Sequence, residues 1–558
     1  MKKTKYISLY ISLFMGLLIL TGACSDYLDK DPKTDTSLNY EQIFKDPHLA
    51  PGFLNNAYNQ LPDGFLRFNE NALLAGACDE AKHSLAGSRV QLFNSNAISP
   101  SDNPDNAWQS MYTGIRKCNI FLKELDGLIA KYNSIPEASR SNFRGQALFL
   151  RAFFHFELLK RYQNIICVDK VLDAFDEEEA YSIKQSTFKE ALAFIVADCD
   201  SAEILLPAKV DADGSQNGRP SKVAPMALKA RMLLYAASPL NNPSNDVEQW
   251  KKAETAAKEI YDRRSALGIS LNSSYAGTFT SPYNAEIIFA TQANNRNDVE
   301  FYNFPISYQG AGFTNPSQNL VDAYVMNGTE QAEPMKDFDP ENPYSKREER
   351  FYATILHNDA NFKGSKVESF VGGKDGLYST STATKTGYYM NKFISSSLSL
   401  EKNERARKPW ILYRYAEVLL NYAEARNEVL DAPDKIVHDI LNLIRSRAKL
   451  RPFRNATVYI KTKEEMRDYI KKERQVELAL EEHRFWDLRR WKDAEIALNK
   501  ALIGMRVEKQ EAKLSFQSFE VEKRMFDPKL YWYPIPRSEM LKYRSKGIEL
   551  TQNPGWNN

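Results

Sequence analysis

The chain lacks the features that mark several large functional classes. It has no basic surplus, since 74 Lys+Arg face 72 Asp+Glu, and a nucleic-acid binder needs a cationic footprint. Beyond residue 24 no stretch approaches 18 consecutive apolar residues, so no later segment reads as a membrane span. Only five cysteines occur, and none forms a C-x-x-C pair. The six histidines, His48, His83, His155, His357, His438 and His483, include no H-E-x-x-H, so no transition-metal site is readable. Asp211-Ala212-Asp213-Gly214 lacks the later glycine and glutamate of a calcium loop and reads as a polar turn. Gly372-Gly373-Lys374 lacks the upstream spacing of a phosphate loop, and there is no G-x-S-x-G elbow. No metal or cofactor is expected.

The amino terminus is informative. Lys2, Lys3 and Lys5 precede an apolar run from Ile7 to Leu20, then Thr21-Gly22-Ala23 and Cys24. That order is a secretory signal, and the run is short for a bilayer helix. Ending at a cysteine, it resembles a bacterial lipoprotein signal, which implies that residues 1–23 are removed and Cys24 is lipidated. It departs from the usual pattern in placing Thr21, not a leucine, three residues before the cysteine. The alternative is an ordinary signal with an incidental cysteine. Without the three lysines the formal charge of +2 becomes −1 over residues 24–558.

The length suggests more than one lobe. Aromatics make up 12% of the chain, yet the mean hydropathy of −0.51 marks a wet surface. Residues 24–45 read as anchor and polar tether. Three segments beginning at Ala147, Ala227 and Ala416 echo one another, each with small and large apolar residues at helical spacing. A second amphipathic helix follows each, from Phe188, Trp250 and Lys435, and a helix from Trp108 precedes the first. Such pairs predict a mainly α, tetratricopeptide-like scaffold over 46–264 and 406–558. Residues 265–405 form a loop-rich insert with short strands and helices, and 62–106 is a second loop-rich stretch. Cys118, Cys167 and Cys199 are placed in helices as buried residues; with Cys78 they leave any disulfide pairing open. Trp108, Tyr112, Trp486 and Trp491 are expected to pack inward.

Several motifs occur in order. Asn142-Phe143-Arg144-Gly145-Gln146-Ala147 leads to Arg151-Ala152-Phe153-Phe154-His155-Phe156, and Gly218-Arg219-Pro220 precedes Ala227. Tyr415-Ala416-Glu417 continues to Ala423-Glu424-Ala425, and Asn442-Leu443-Ile444-Arg445-Ser446-Arg447 follows. Glu473-Arg474-Gln475-Val476-Glu477-Leu478 leads to Trp486-Asp487-Leu488 and Arg490-Trp491. The chain ends with Tyr533-Pro534-Ile535-Pro536 and Thr551-Gln552-Asn553-Pro554-Gly555-Trp556. Over nearly its whole length the chain resembles the SusD/RagB family of Bacteroidota nutrient-binding lipoproteins. The resemblance implies a helical body at the outer-membrane surface, lipid-anchored and exposed, working as a binding lid over a SusC-like TonB-dependent transporter.

Three functions remain to be weighed. The first is capture of oligo- or polysaccharide for delivery to the transporter. The second keeps the architecture and binds peptides for uptake. The third and most remote is a lipid-anchored glycoside hydrolase using Glu477 and Glu481, which at i,i+4 on one helix would share a face. Against that third reading, Arg474, Arg484, Arg489 and Arg490 nearby favour structural ion pairs. A sugar needs a flat ring for its C–H face and amide or charged groups for its hydroxyls. The loop-rich stretches offer Asp79, Arg89 and Phe93 from the first, and Tyr283, Tyr302 and Tyr308 with Asn294, Asn295 and Arg296 from the second.

Overall fold

The computed structural model describes residues 38–68, 71–173, 176–209, 218–328, 335–453 and 460–556. The expected signal peptide, Cys24, most of the tether and the turn at 211–214 lie outside these residues.

Eleven helices are used below: α1 Tyr40–Lys45, α2 Leu49–Tyr58, α3 Trp108–Asp126, α4 Glu137–Tyr162, α5 Phe188–Leu205, α6 Val223–Ala237, α7 Val247–Leu267, α8 Tyr415–Val429, α9 Lys435–Arg447, α10 Lys463–Glu477 and α11 His483–Arg490. From α2 to α8 each packs on the next, and α8 also receives α9 and α10. Small residues let the axes approach. Ala147 and Ala152 in α4, Ala227 and Ala230 in α6, and Ala416 and Ala423 in α8 are all buried. Gly114 in α3 admits the ring of Phe154, which a Cβ there would meet at 2.6 Å. Ends are marked by local chemistry. Thr187 and Glu190 form a capping box at the start of α5, as Thr462 and Glu465 do for α10. Gly268, at φ +69°, closes α7 in the left-handed region. The mainly α, tetratricopeptide-like fold is therefore present.

Ion pairs between helices are buried in this scaffold. Arg151 of α4 grips Asp198 of α5 through two bonds of 2.7 Å. Arg231 of α6 holds Glu417 of α8 and lies over Tyr413 at 3.9 Å. Trp108, Trp486 and Trp491 are buried, and Tyr112 packs against the core.

After α7 the chain leaves the scaffold and returns at α8, and the two helices pack together. The excursion carries β2 Ile287–Ala290, β3 Asn294–Arg296, β4 Thr314–Pro316, β5 Ala406–Lys408 and β6 Ile411–Arg414, with β1 Ala81–His83 contributed from the earlier loop-rich stretch. All pairing is antiparallel: β1 with β4, β2 with β6, β3 with β5. A second hydrophobic core forms here from Phe65, Phe304, Tyr324, Phe351, Tyr389 and Trp410, among others. The ribbon of β7 Leu502–Gln510 and β8 Lys513–Glu522 contributes Met505 and Val507 to it. That ribbon lies inside the stretch read from sequence as helical scaffold.

Two local expectations differ from the structure. Cys167 is not helical but follows the end of α4 in an extended segment, and among the described residues Cys78, Cys118, Cys167 and Cys199 are free thiols. The helix expected through Glu473 to Trp491 is two helices. α10 ends at Glu477, and Leu480 (φ +64°) and Glu482 (φ +68°) turn the chain before α11. Glu477 and Glu481 therefore do not share one helix face.

Candidate functional site

Two strand pairs carry the candidate site away from the scaffold. β6 runs directly into α8, so β2, paired to it, is fixed to the helical body. A few residues further on, β3 pairs with β5 in the register Asn294 to Lys408, Asn295 to Arg407 and Arg296 to Ala406. Lys408 anchors that pair from within. Its ammonium is buried, 2.8 Å from Glu300, and donates to the Phe393 carbonyl at 2.6 Å.

Tyr283 lies on the loop before β2 and is 39% exposed. Its hydroxyl accepts from Arg407 Nη2 at 3.0 Å, and that guanidinium sits 5.3 Å from the ring centre. Asn294 and Asn295 are exposed on β3, and Asn295 lies opposite Arg407. Arg296 is tied down. It donates twice to Asp298, at 2.6 and 2.7 Å, and once to Asp63 at 2.5 Å. Burial works against its charge, and the two carboxylates more than offset that, so Arg296 stays cationic. It braces the strand to the earlier loop-rich stretch. Tyr283 also lines a recess of about 380 Å³ with Asn284, Lys209, Arg219 and the backbone of β2.

The structure thus sets Tyr283 against the β3–β5 pair, with Asn295 opposite Arg407 on its side of the strand and Asn294 and Arg296 alternating to the other side, and it disperses the other candidates. Tyr302 stacks on Phe313, with centroids 5.6 Å apart and planes 12° apart, beside the half-exposed Phe301. Tyr308 meets Phe362 edge-on at 4.9 Å. Arg89 pairs with Asp102 on the surface. Asp79 is engaged by Arg484 through bonds of 2.9 and 2.7 Å. Phe93 is a core ring, edge-on to Phe485 at 5.4 Å, because the apolar side of its short helix faces inward. Both Asp79 and Phe93 are therefore occupied within the body. Arg407, Lys209 and Arg219 were not selected from sequence. Only the pairing of β3 with β5 and the path of the loop before α6 bring them to Tyr283.

The carboxylates considered for hydrolysis are differently placed. Glu477 is fully buried and is met by Arg350 at 3.0 Å, Arg414 at 2.8 Å and Arg447. Burial alone would raise its pKa, but Arg447, Arg414 and Arg350 outweigh that and hold it well below the usual carboxylate range. Glu481 is paired by Arg414 and by Lys392, each at 2.7 Å. Glu286 completes the cluster, 2.7 Å from Arg414. A general acid needs a proton at working pH and access to a substrate; Glu477 has neither.

A larger groove of about 850 Å³ runs between α5, α6 and α7, lined by Phe188, Leu192, Val196 and Leu233. Its charges are mutually satisfied in good part, with Lys229 on Asp200 at 2.6 Å and Lys251 on Glu248 at 2.7 Å.

Comparisons with known proteins agree over most of the chain. A family model described as "SusD family" matches residues 274–556, and one described as "Starch-binding associating with outer membrane" matches 26–234. SusD-like protein P38 of Formosa agariphila is 23% identical over 510 residues, covering 88% of this chain and 92% of its own length. A solved SusD-like protein from Bacteroides fragilis superposes with a TM-score of 0.76 at 28% identity, covering 94% of this chain and 100% of that one. A SusD-like carbohydrate binding protein from the same species has the same fold, with a TM-score of 0.73 at 24% identity, covering 89% and 98%.

Proposed function

The chain belongs to the SusD family, and from that premise we propose that it captures oligo- or polysaccharide at the outer-membrane surface and passes it to a SusC-like TonB-dependent transporter. The observation that carries this reading is the exposed ring of Tyr283 against Arg407, with the exposed amide of Asn295 opposite Arg407 in the register of β3 and β5, strands braced by Arg296 and Lys408. An amphipathic ring accepts the C–H face of a sugar, and neighbouring amides meet its hydroxyl rim. A shallow surface site buries little ligand, so affinity is on the order of micromolar to millimolar. Lipidation at Cys24, with a tether that ends where α1 begins at Tyr40 rather than at residue 45 because Phe44 is buried in the body, would keep the protein near its transporter and raise its effective concentration there. Residues 46–264 and the helices of 406–558 serve as scaffold, and 265–405 as the recognition insert, joined by β5, β6 and the β7–β8 ribbon. The protein binds and does not hydrolyse; the burial of Glu477 among arginines supports this.

Native gels cast with a panel of polysaccharides test the proposal. Retardation by at least one polysaccharide is expected, with no release of product. Tyr283→Ala is expected to weaken it at least tenfold with the thermal midpoint unchanged, and loss of one stacked ring, roughly 1–2 kcal/mol, sets that scale. Binding of peptides alone, measured by calorimetry, would replace glycan with peptide as cargo. Cys24→Ala is expected to release the protein from the outer-membrane fraction with ligand affinity intact; retention there would refute the anchor.

A further inference from the structure

Resting on the glycan reading of the Tyr283 face, we infer that the ligand is an anionic glycan whose carboxylate or sulfate groups are met by Lys209, Arg219 and Arg407. Three observations converge. The first is charge without partners. Most arginines of this molecule pair with carboxylates at 2.5–3.0 Å, Arg151, Arg231, Arg296 and Arg414 among them. Around Tyr283 the pattern reverses. Lys209 and Arg219 line the recess, Arg407 caps the Tyr283 hydroxyl, and among the described residues no carboxylate lies within ion-pair distance of any of them.

The second is an unsatisfied donor. Arg219 is held by stacking on Tyr58 at 4.3 Å and by donating from Nη2 to Asn55 of α2, while its Nη1 is buried with no hydrogen-bond partner among the described residues. A buried unpaired guanidinium N–H costs free energy; because that nitrogen is closed to solvent, an oxyanion in the recess would draw the guanidinium outward to recover it with a charge-assisted bond. The third is pre-organisation. Gly218 adopts φ +76°, where a Cβ would crowd the backbone of Gln292 at 3.1 Å. The Gly218-Arg219-Pro220 segment is thereby pressed against the strand that leads from β2 to β3, and Arg219 is fixed between that strand and α2. A recess of about 380 Å³ has room for sugar, and its cations stand at the wall and rim.

Neutral glycans need none of this charge. The larger groove between α5, α6 and α7 differs in that acids stand among its lysines, Asp200 on Lys229 and Glu248 on Lys251, whereas the lining of the Tyr283 recess has no carboxylate.

The test uses native gels containing polygalacturonate, dextran sulfate or neutral dextran. Retardation by polygalacturonate or by dextran sulfate is expected, and which of the two acts identifies carboxylate or sulfate as the recognised group. It should fall on the order of tenfold in 0.5 M salt, because exposed charges are screened. The double variant Lys209→Glu, Arg407→Glu changes two surface residues and should lose retardation by a similar factor with its thermal midpoint retained. Arg219→Gln should weaken binding as well. Retardation by dextran alone, lost in Tyr283→Ala, would overturn the anionic ligand and leave the glycan reading standing. Anionic retardation that survives the double reversal would overturn the site. Binding to no polysaccharide would overturn both readings.

Discussion

Arg414 shows how much of this molecule is settled by single charged side chains. It is about 1% exposed and reaches Glu286, Glu477 and Glu481 from one guanidinium. Removing one partner of a buried cluster strands the others, at a cost of about 3–5 kcal/mol. Arg414→Met is expected to lose that much in urea denaturation or to fail to fold, and a loss below 1 kcal/mol would show that the cluster contributes little. Glu80 is the opposite case. It is buried and, among the described residues, has no cation within ion-pair distance; it accepts from the Leu480 N–H at 3.3 Å and from the Cys78 thiol at 3.8 Å. Burial, and then the charge of Asp79, push its carboxyl up to about 8. The folded state therefore keeps a proton that the unfolded chain releases near pH 4.5. Stability from this group is full below that pH and is lost as pH rises toward 8, a change on the order of a few kcal/mol. Glu80→Gln should raise the thermal midpoint at pH 9 and leave it nearly unchanged at pH 5; equal midpoints at both would disprove the assignment.

At the scale of elements, what sequence reveals is what repeats locally. α4, α6 and α8 are legible because alanines at helical spacing can be read within one segment, and α5 because an amphipathic run starts at Phe188. Thr187→Ala is expected to cost about 1 kcal/mol, readable as a lowered thermal midpoint with glycan binding retained. The break between α10 and α11 is not legible. It depends on Leu480 and Glu482 taking left-handed backbone angles, which residues far away in the sequence hold in place: the Lys392 ammonium on the Ala479 carbonyl at 2.7 Å and Arg414 on the Glu477 carbonyl. The β7–β8 ribbon is missed for a related reason, since its apolar residues face a core built by the insert. For the site, Tyr283, Asn294, Asn295 and Arg296 are legible as an aromatic and amide-rich stretch. Arg407 is not, because its place opposite Asn295 is a fact of pairing across more than 100 residues.

Over the whole molecule, two hydrophobic cores are joined by the buried charges. Glu286, Arg350 and Lys392 come from the insert; Arg414, Arg447, Glu477 and Glu481 come from the scaffold and its edges. Such a cluster cannot be half-opened without stranding charge, so insert and scaffold are expected to melt together. Calorimetry should show one transition; two resolved peaks would mean that the cores are energetically independent.

The packing of α7 on α8 has one more consequence. Because these helices touch, the points where the insert departs and re-enters are neighbours, and the intervening chain is a closed loop. The entropy of closing such a loop grows only with the logarithm of its length. Lengthening or shortening it therefore burdens the scaffold little, provided that Glu286, Arg350 and Lys392 still meet their partners. Selection can then rewrite recognition by insertion and deletion in the insert, while the helices that carry it stay nearly constant.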